Sequence, residues 1–570
     1  LKISRWRSVR GEEGEISPSN WIRLCKFLTS HCNALESLHV DSVSVHEGGF
    51  LVDSGVSLQP SSLPRLSKIE FRRIVGNLAL TPLFTCSAIA DALAYIQEFT
   101  YQGPISRSDG SDTASLAACL AAGNRHKWRL RYLKLADAQF TLEMANQLFA
   151  LLCHCQKSLQ TLDICHIYLP LHRGDVFEPL MSMEVLEACH FRRYSSLETV
   201  HTGSRDAYRY LSANRYLCQT LRQLSVHDLC RATCVDIAHL LLLARRLTHL
   251  DMRLCEMDPI GRRETLETLT PCWPTLHRSL ISWEMHTTGS VIHSLFPRLN
   301  REIGPAFFPQ LREVSFPFHG LHDQHFSQHL VPHFLWHTSA VTKLVLCENG
   351  LSRESMPDLA NVIYLMLSLK VVDLSRNPIG NVGFAILVDA LSAVHALEEI
   401  NLGWCELDIM AAPQLIDLLG TCSTSLRRLQ LDDFSSGELQ ETRLRELCAA
   451  LRDCSVLSFF QCGRKLAAQS YKLWELQVFA AEFFSRSTSL CALGTAARVE
   501  VDWSQAVWVR RNFSWLIHSP DELFFWPQDM ATWDSGLRTD RPTGYLRSWD
   551  ELNAQIQSRK LEQPAQSIKE

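Results

Sequence analysis

The stretch HGLHDQHFSQHLVPHFLWH, residues 319–337, concentrates six histidines, and the last four recur every fourth residue as His325, His329, His333 and His337. On a helix that spacing lines them along one face. Imidazoles so placed suggest either a zinc or copper site or a stripe that gains positive charge below about pH 6.5. A tetrahedral ion needs ligands converging from different elements, which a single helix face does not supply. A pair such as His325 and His329, completed by a neighbouring chain, is the metal reading that the spacing allows. Pro332 adds a constraint: it cannot donate to the carbonyl four residues before it, so the helix should kink or restart between His329 and His333.

The other chemistry-bearing types are less organised. Twenty cysteines are scattered without a CxxC pair, and read as reduced, buried small side chains in an intracellular, reducing compartment. The tightest clusters are Cys153-His154-Cys155 and Cys230 with Cys234; both fall where helices are expected, so core packing is favoured over metal binding. The phosphate-binding loop GxxxxGKS/T, the dinucleotide fingerprint GxGxxG, HExxH and GxSxG are all missing from the sequence. The sequence therefore assigns no catalytic residue, metal, cofactor or small-molecule substrate, and the chain is read as a non-enzyme.

These side chains need a scaffold, and bulk composition bounds it. The 570 residues are 46% hydrophobic and 21% charged, with a net charge of −5 and both signs interspersed. That is globular, and it argues against nucleic acid as the primary partner. The longest apolar stretch, HLLLLARRL, is short and cut by Arg245 and Arg246, so no membrane partner is expected. The basic residues are mostly Arg, and the first residues, LKISRWRSVRGEEGE, run basic and then acidic. This suits the stub of a cleaved organelle presequence and slightly favours a mitochondrion over cytosol or cilium.

Self-similarity organises the chain. Val341/Leu344/Leu346, Leu369/Val372/Leu374, Leu397/Ile400/Leu402 and Leu426/Leu429/Leu431 each follow L-x-x-L-x-L, with starts 28, 28 and 29 residues apart. Earlier copies lie at Leu35/Leu38/Val40, Leu66/Ile69/Phe71, Leu130/Leu133/Leu135, Leu159/Leu162/Ile164, Leu221/Leu224/Val226, Leu247/Leu250/Met252 and Leu311/Val314/Phe316. Weaker ones lie near Ile96, Met183, Val456 and Leu490. The motif predicts a short strand with its apolar residues inward. The spacing of Phe384, Leu387, Val388 and Leu391 after it predicts a helix on the same core. In this register the histidine stretch is the helix after Leu311/Val314/Phe316, with Phe326, Leu330 and Phe334 as its buried stripe and the histidines on the flank.

Over residues 31–497 the pattern resembles leucine-rich repeat proteins, in particular the ribonuclease-inhibitor-like subclass. In LKVVDLSRNPIGNVGFAILVDAL, Asn377 fills the position that the family gives to a turn-bonding Asn or Cys; Asn349, Cys255 and Cys405 fill it elsewhere, whereas Phe434, Leu229 and His319 depart from it. The resemblance implies an α/β solenoid of horseshoe form, parallel strands concave and helices convex, with roughly 15–16 repeats. The repeat is irregular at 102–128, 189–215 and 256–305. Residues 1–30 are read as an N-terminal cap, and residues 498–570 as a Trp-rich non-repeat extension. That extension either folds back as a cap or docks on a partner through Trp526, Trp533, Tyr545 and Trp549.

The strand register also predicts the outward side chains. They are Lys68, Glu70 and Arg72; Tyr132 and Lys134; His249, Asp251 and Arg253; Glu313 and Ser315; Lys343 and Val345; Asp373 and Ser375; Glu399 and Asn401; and Arg428, Gln430 and Asp432, with Trp404 at a strand's end. Their charges alternate in sign, which favours a protein partner over a phosphate backbone. The functional expectation is a protein-interaction scaffold: a structural subunit or assembly factor of a multi-subunit complex, such as a mitochondrial ribosome or its assembly intermediate. A Ran-GAP-like GTPase regulator is an alternative, although no catalytic Asn or Arg matches. A ubiquitin-ligase substrate receptor is another, although residues 1–30 lack the Leu-Pro start of an F-box.

Overall fold

A computed structural model describes residues 2–4, 15–16, 37–41, 44–45, 66–72, 95–103, 113–169, 174–192, 204–227, 233–253, 259–288, 292–304 and 308–431, with short pieces among 446–462 and residues 492–495. The chain divides into two compact units: Leu1–Thr287 with Pro297–Leu311, and Thr288–Phe296 with Arg312–Glu570. Asp432, Cys230, Cys255, Leu229, Phe434, Trp526, Trp533, Tyr545 and Trp549 lie outside the described residues.

In the first unit the strands are β1 (Lys2–Ser4), β2 (Ser37–Asp41), β3 (Lys68–Arg72), β4 (Glu98–Gln102) and β5 (Tyr132–Gln139), followed by β6 (Thr161–Tyr168), β7 (Ala188–Arg192), β8 (Gln223–Val226), β9 (His249–Arg253) and β10 (Ser282–Thr288). Each pairs in parallel with the next along the chain. Parallel neighbours need a crossover, and helices supply it, among them α1 (Thr113–Arg125), α2 (Leu142–His154) and α3 (Cys234–Leu243). Between β6 and β7 the helical segment is a 3-10 run, Gly174–Ser182, which accommodates Pro179.

The register superposes the repeats residue on residue. Leu38, Ile69, Phe99, Leu133, Leu162, Cys189, Leu224, Leu250 and Trp283 form one buried row across β2 to β10. Phe71, Tyr101, Leu135, Ile164, Phe191, Val226, Met252 and Met285 form the next. Side chains of the crossovers close over these rows: Trp128, just after α1, meets Phe99, and Tyr208 from the helix at Ser204–Ser212 meets Phe191. Within 102–128 and 189–215 the chain keeps regular elements, α1, β7 and a helix at Ser204–Ser212. Within 256–305, aromatic rings replace leucines: Trp273 and Trp283 are centred 4.8 Å apart and pack against Phe308 just beyond.

The second unit repeats the scheme with β11 (Glu313–Ser315), β12 (Lys343–Val345), β13 (Val371–Asp373), β14 (Glu399–Asn401), β15 (Arg428–Leu431), β16 (Phe459–Cys462) and β17 (Ala492–Thr495), again parallel in chain order. Its helices include α4 (Met356–Leu365), α5 (Gly380–Ser392) and α6 (Ala412–Cys422).

The turns after these strands explain the Asn and Cys position. Glu348, Arg376 and Trp404, spaced by 28, all adopt left-handed backbone near φ +60°. That conformation is disfavoured for non-glycine residues, and the buried side chain just after each one fixes the turn. Asn377 donates to the carbonyls of Leu346 (2.9 Å) and Leu374 (2.8 Å), and its Oδ1 accepts from the amides of Asn349 and Leu351, each at 3.0 Å. Asn349 donates to Phe316 O at 2.9 Å, and the Cys405 thiol to Leu374 O at 3.1 Å. These bonds tie one repeat to the one before it. Burial pushes the Cys405 thiol up to about 12, so it is a donor here and not a nucleophile.

The histidine stretch is helical and interrupted. A turn at His322–His325 passes into a π-turn at Phe326–Leu330, then Val331–His333 and a 3-10 turn at Leu335–His337. In the π-turn the Val331 amide donates to Phe326 O, five residues back, which moves the hydrogen-bond pattern just before Pro332, where an amide is missing. Phe326, Leu330 and Phe334 are fully buried, with Phe334 against Phe296 and Phe316. His325, His329, His333 and His337 are half-buried on the flank, and the first three rings succeed one another at 6.1 and 6.4 Å.

Replacing Asn377 with Ala should lower stability by about 3 kcal/mol, because it strands buried backbone donors and acceptors of two repeats at once. A thermal or denaturant melt checks this; an unchanged midpoint would contradict the role of the Asn ladder.

Candidate functional site

The alternation that buries two apolar rows leaves the residues between and beside them on the other face of each sheet. In the first unit the central outward row is His39, Glu70, Thr100, Lys134, Asp163, His190, Ser225, Asp251 and Glu284, each in register with the next. Strands in a sheet lie about 4.8 Å apart, so these side chains meet their neighbours directly. Glu70 binds His39 Nδ1 at 2.8 Å and the Arg72 guanidinium at 2.6 Å. Lys134 lies 3.3 Å from Asp163, and Lys68 lies 3.1 Å from Glu98. His190 meets Ser225 at 2.8 Å, His227 meets Asp251 at 2.7 Å, and His286 meets Glu284 at 2.6 Å.

Each residue expected on this face of the first unit stands there half-buried: Lys68, Glu70 and Arg72 on β3, Tyr132 and Lys134 on β5, and His249, Asp251 and Arg253 on β9. In the second unit Glu313, Asp373, Glu399, Asn401, Arg428 and Gln430 are half-buried on their strands, and Lys343 is exposed. Asn401 donates to Asp373 at 3.1 Å, and Asp373 accepts from the Ser375 amide and hydroxyl. Trp404 is 48% exposed at its left-handed turn, so its ring projects where the strand ends.

Sequence reading did not reach Glu98, Thr100, Asp163, His190, Ser225, His227, Glu284 and His286. Three of their strands carry substituted motifs, Ile96/Phe99/Tyr101, Leu186/Cys189/Phe191 and Leu280/Trp283/Met285, in which aromatic residues or Cys stand for leucine. Burial at these positions equals that of the regular repeats, and an aromatic-tolerant motif would have found Glu98, Thr100, His190, Glu284 and His286.

The electrostatics are those of a self-neutralised surface. Burial raises the Glu70 carboxyl, but the hydrogen bond from His39 and the charge of Arg72 outweigh it and hold it below the usual carboxylate range. Burial likewise raises Asp251, while His227, His286 and Arg253 bring it below its ordinary value. No single-sign field builds up along the first-unit row, so the face offers alternating donors and acceptors, as a polypeptide does. Groups depressed on folding contribute stability that is complete above their unfolded values, about 4 to 4.5, and lost as pH falls through the folded ones. The unfolding midpoint should therefore drop below about pH 4. Glu70→Gln and Asp251→Asn should flatten that acid limb; an identical limb in both variants would contradict the assignment.

No protein-family model matches this chain, and no curated protein matches it. Among solved structures, similar ones include the Rad7 and Elc1 complex of yeast, 13% identical, covering 78% of this chain and 83% of that chain at a TM-score of 0.35. Another is the leucine-rich repeat-containing protein LegL7 of Legionella pneumophila, 10% identical over 64% of this chain and 99% of that one, at 0.31. An internalin of Listeria monocytogenes is 14% identical over 74% and 86%, at 0.28. At these scores the likeness adds nothing to what the molecule itself displays. Its L-x-x-L-x-L strands, their one-to-one parallel register and the Asn ladder in its turns give this chain the leucine-rich-repeat fold.

Proposed function

We propose that this chain is a non-enzymatic protein-interaction scaffold that binds its partner on the strand-lined face. The observation that carries the reading is the outward row of the first unit. There, charged and polar groups of both signs are fixed by neighbours on adjacent strands, and so are held ready with little side-chain entropy left to lose. Such a face suits a polypeptide of alternating charge better than a phosphate backbone. On this reading the chain is a structural subunit or assembly factor of a large complex. The preference for Arg over Lys supports a mitochondrial setting, with a ribosome or its assembly intermediate as the complex.

Affinity purification of the full chain from its own cells, with mass spectrometry, identifies the complex; fluorescence localisation outside mitochondria would remove the mitochondrial part. With the partner known, Lys68→Glu at a half-buried position of the strand face and Lys343→Glu at an exposed one should each weaken binding by about tenfold. Asp389→Lys on the exposed side of α5 should leave binding unchanged. Equal effects from the two faces would overturn the assignment of the surface.

A further inference from the structure

Where β8, β9 and β10 run side by side, the first unit assembles a cluster of metal-binding groups. The register sets Asp251 beside Glu284 and Arg253 beside His286, while His227 follows the last residue of β8. One ligand atom from each of Asp251, Glu284 and His286 lies within 4.8 Å of the others. His286 Nε2 is 2.6 Å from Glu284 Oε1, and His227 Nε2 is 2.7 Å from Asp251 Oδ2. The second carboxylate oxygen of Asp251, Oδ1, is buried and has no hydrogen-bond partner among the described residues. A buried carboxylate oxygen without a donor is costly, and a cation is one group that relieves it.

We propose that Asp251, Glu284 and His286 form a site for a divalent transition metal of the zinc class. An imidazole and two carboxylates are the donors such an ion accepts, and they come from two strands, so they converge in a way that a row on one helix does not. The ion takes the lone pair of His286 Nε2, whose proton now faces Glu284, and the imidazole carries its proton on Nδ1 instead. His227 holds the Asp251 carboxylate from behind, the part that an outer-shell imidazole plays in fixing a carboxylate ligand. The charged and titratable groups around the site are Asp251, Glu284, Arg253, His227 and His286. The two carboxylates attract the ion and Arg253 opposes it.

The test uses the full chain, stripped with a chelator and titrated with zinc chloride by calorimetry and by thermal unfolding. The expected result is one saturable site whose filling raises the unfolding midpoint. His286→Ala and Glu284→Gln, both at half-exposed positions, should weaken it at least tenfold while the circular dichroism spectrum stays that of the parent. His325→Ala with His329→Ala should leave it intact, since that row lies elsewhere. Cobalt(II) in the same site should show visible ligand-field bands without the intense thiolate band that capture by cysteines would give. Absence of saturable binding, a thiolate band, or equal affinity in His286→Ala and Glu284→Gln would each overturn the proposal.

Discussion

Everything in this molecule depends on one constraint: a strand of three to eight residues with one helix cannot bury its own apolar face. Each repeat must present that face to the next in the same register, or the core opens. The paired rows from Leu38 to Trp283 and from Val314 to Leu429 are the result. A slip of one residue in any strand would turn its leucines outward and its charges into the core. Register is therefore set by burial, and the outward chemistry follows from it.

The same constraint explains where polar groups are allowed inside. Three successive repeats of the second unit turn sharply at the end of their strands, through left-handed Glu348, Arg376 and Trp404, and backbone groups freed there are buried. Asn349 and Asn377 satisfy them with side-chain amides that imitate a peptide, while Cys405 does so with a single weak donor. The left-handed residues themselves project outward: Arg376 reaches Glu348 in the preceding repeat, and Trp404 stands in solvent. A structural requirement of the turn thus also spaces side chains along one rim.

The outward row of the first unit converts the strand spacing into pairing. Residues that are distant in sequence, such as Lys134 and Asp163 or His227 and Asp251, become neighbours because the repeat returns the chain to the same height. Pairing fixes the side chains and removes a net field. A row of this kind can recognise a partner through the order of its donors and acceptors. Attraction by bulk charge has little part in it.

Much of this was legible in the residues. The period of 28 to 29, the inward leucines, Asn377 in its turn and Phe326, Leu330 and Phe334 under the histidines all follow from hydrophobic spacing, which is a local property of the chain. The half-buried flank of His325 to His337 follows from the same spacing, and Pro332 announced an interruption, although not that a π-turn would absorb it. The strands at Glu98–Gln102, Ala188–Arg192 and Ser282–Thr288 were fainter, because Phe, Cys and Trp fill space that a leucine pattern does not count. By itself the sequence determined the repeat, the buried rows and which side chains face outward, since each depends on alternation within one strand. Only the tertiary structure decided which outward side chain meets which. The contacts of Asp251 with His227, Glu284 and His286 depend on how many residues each crossover takes to return, and that length is set by packing against the core.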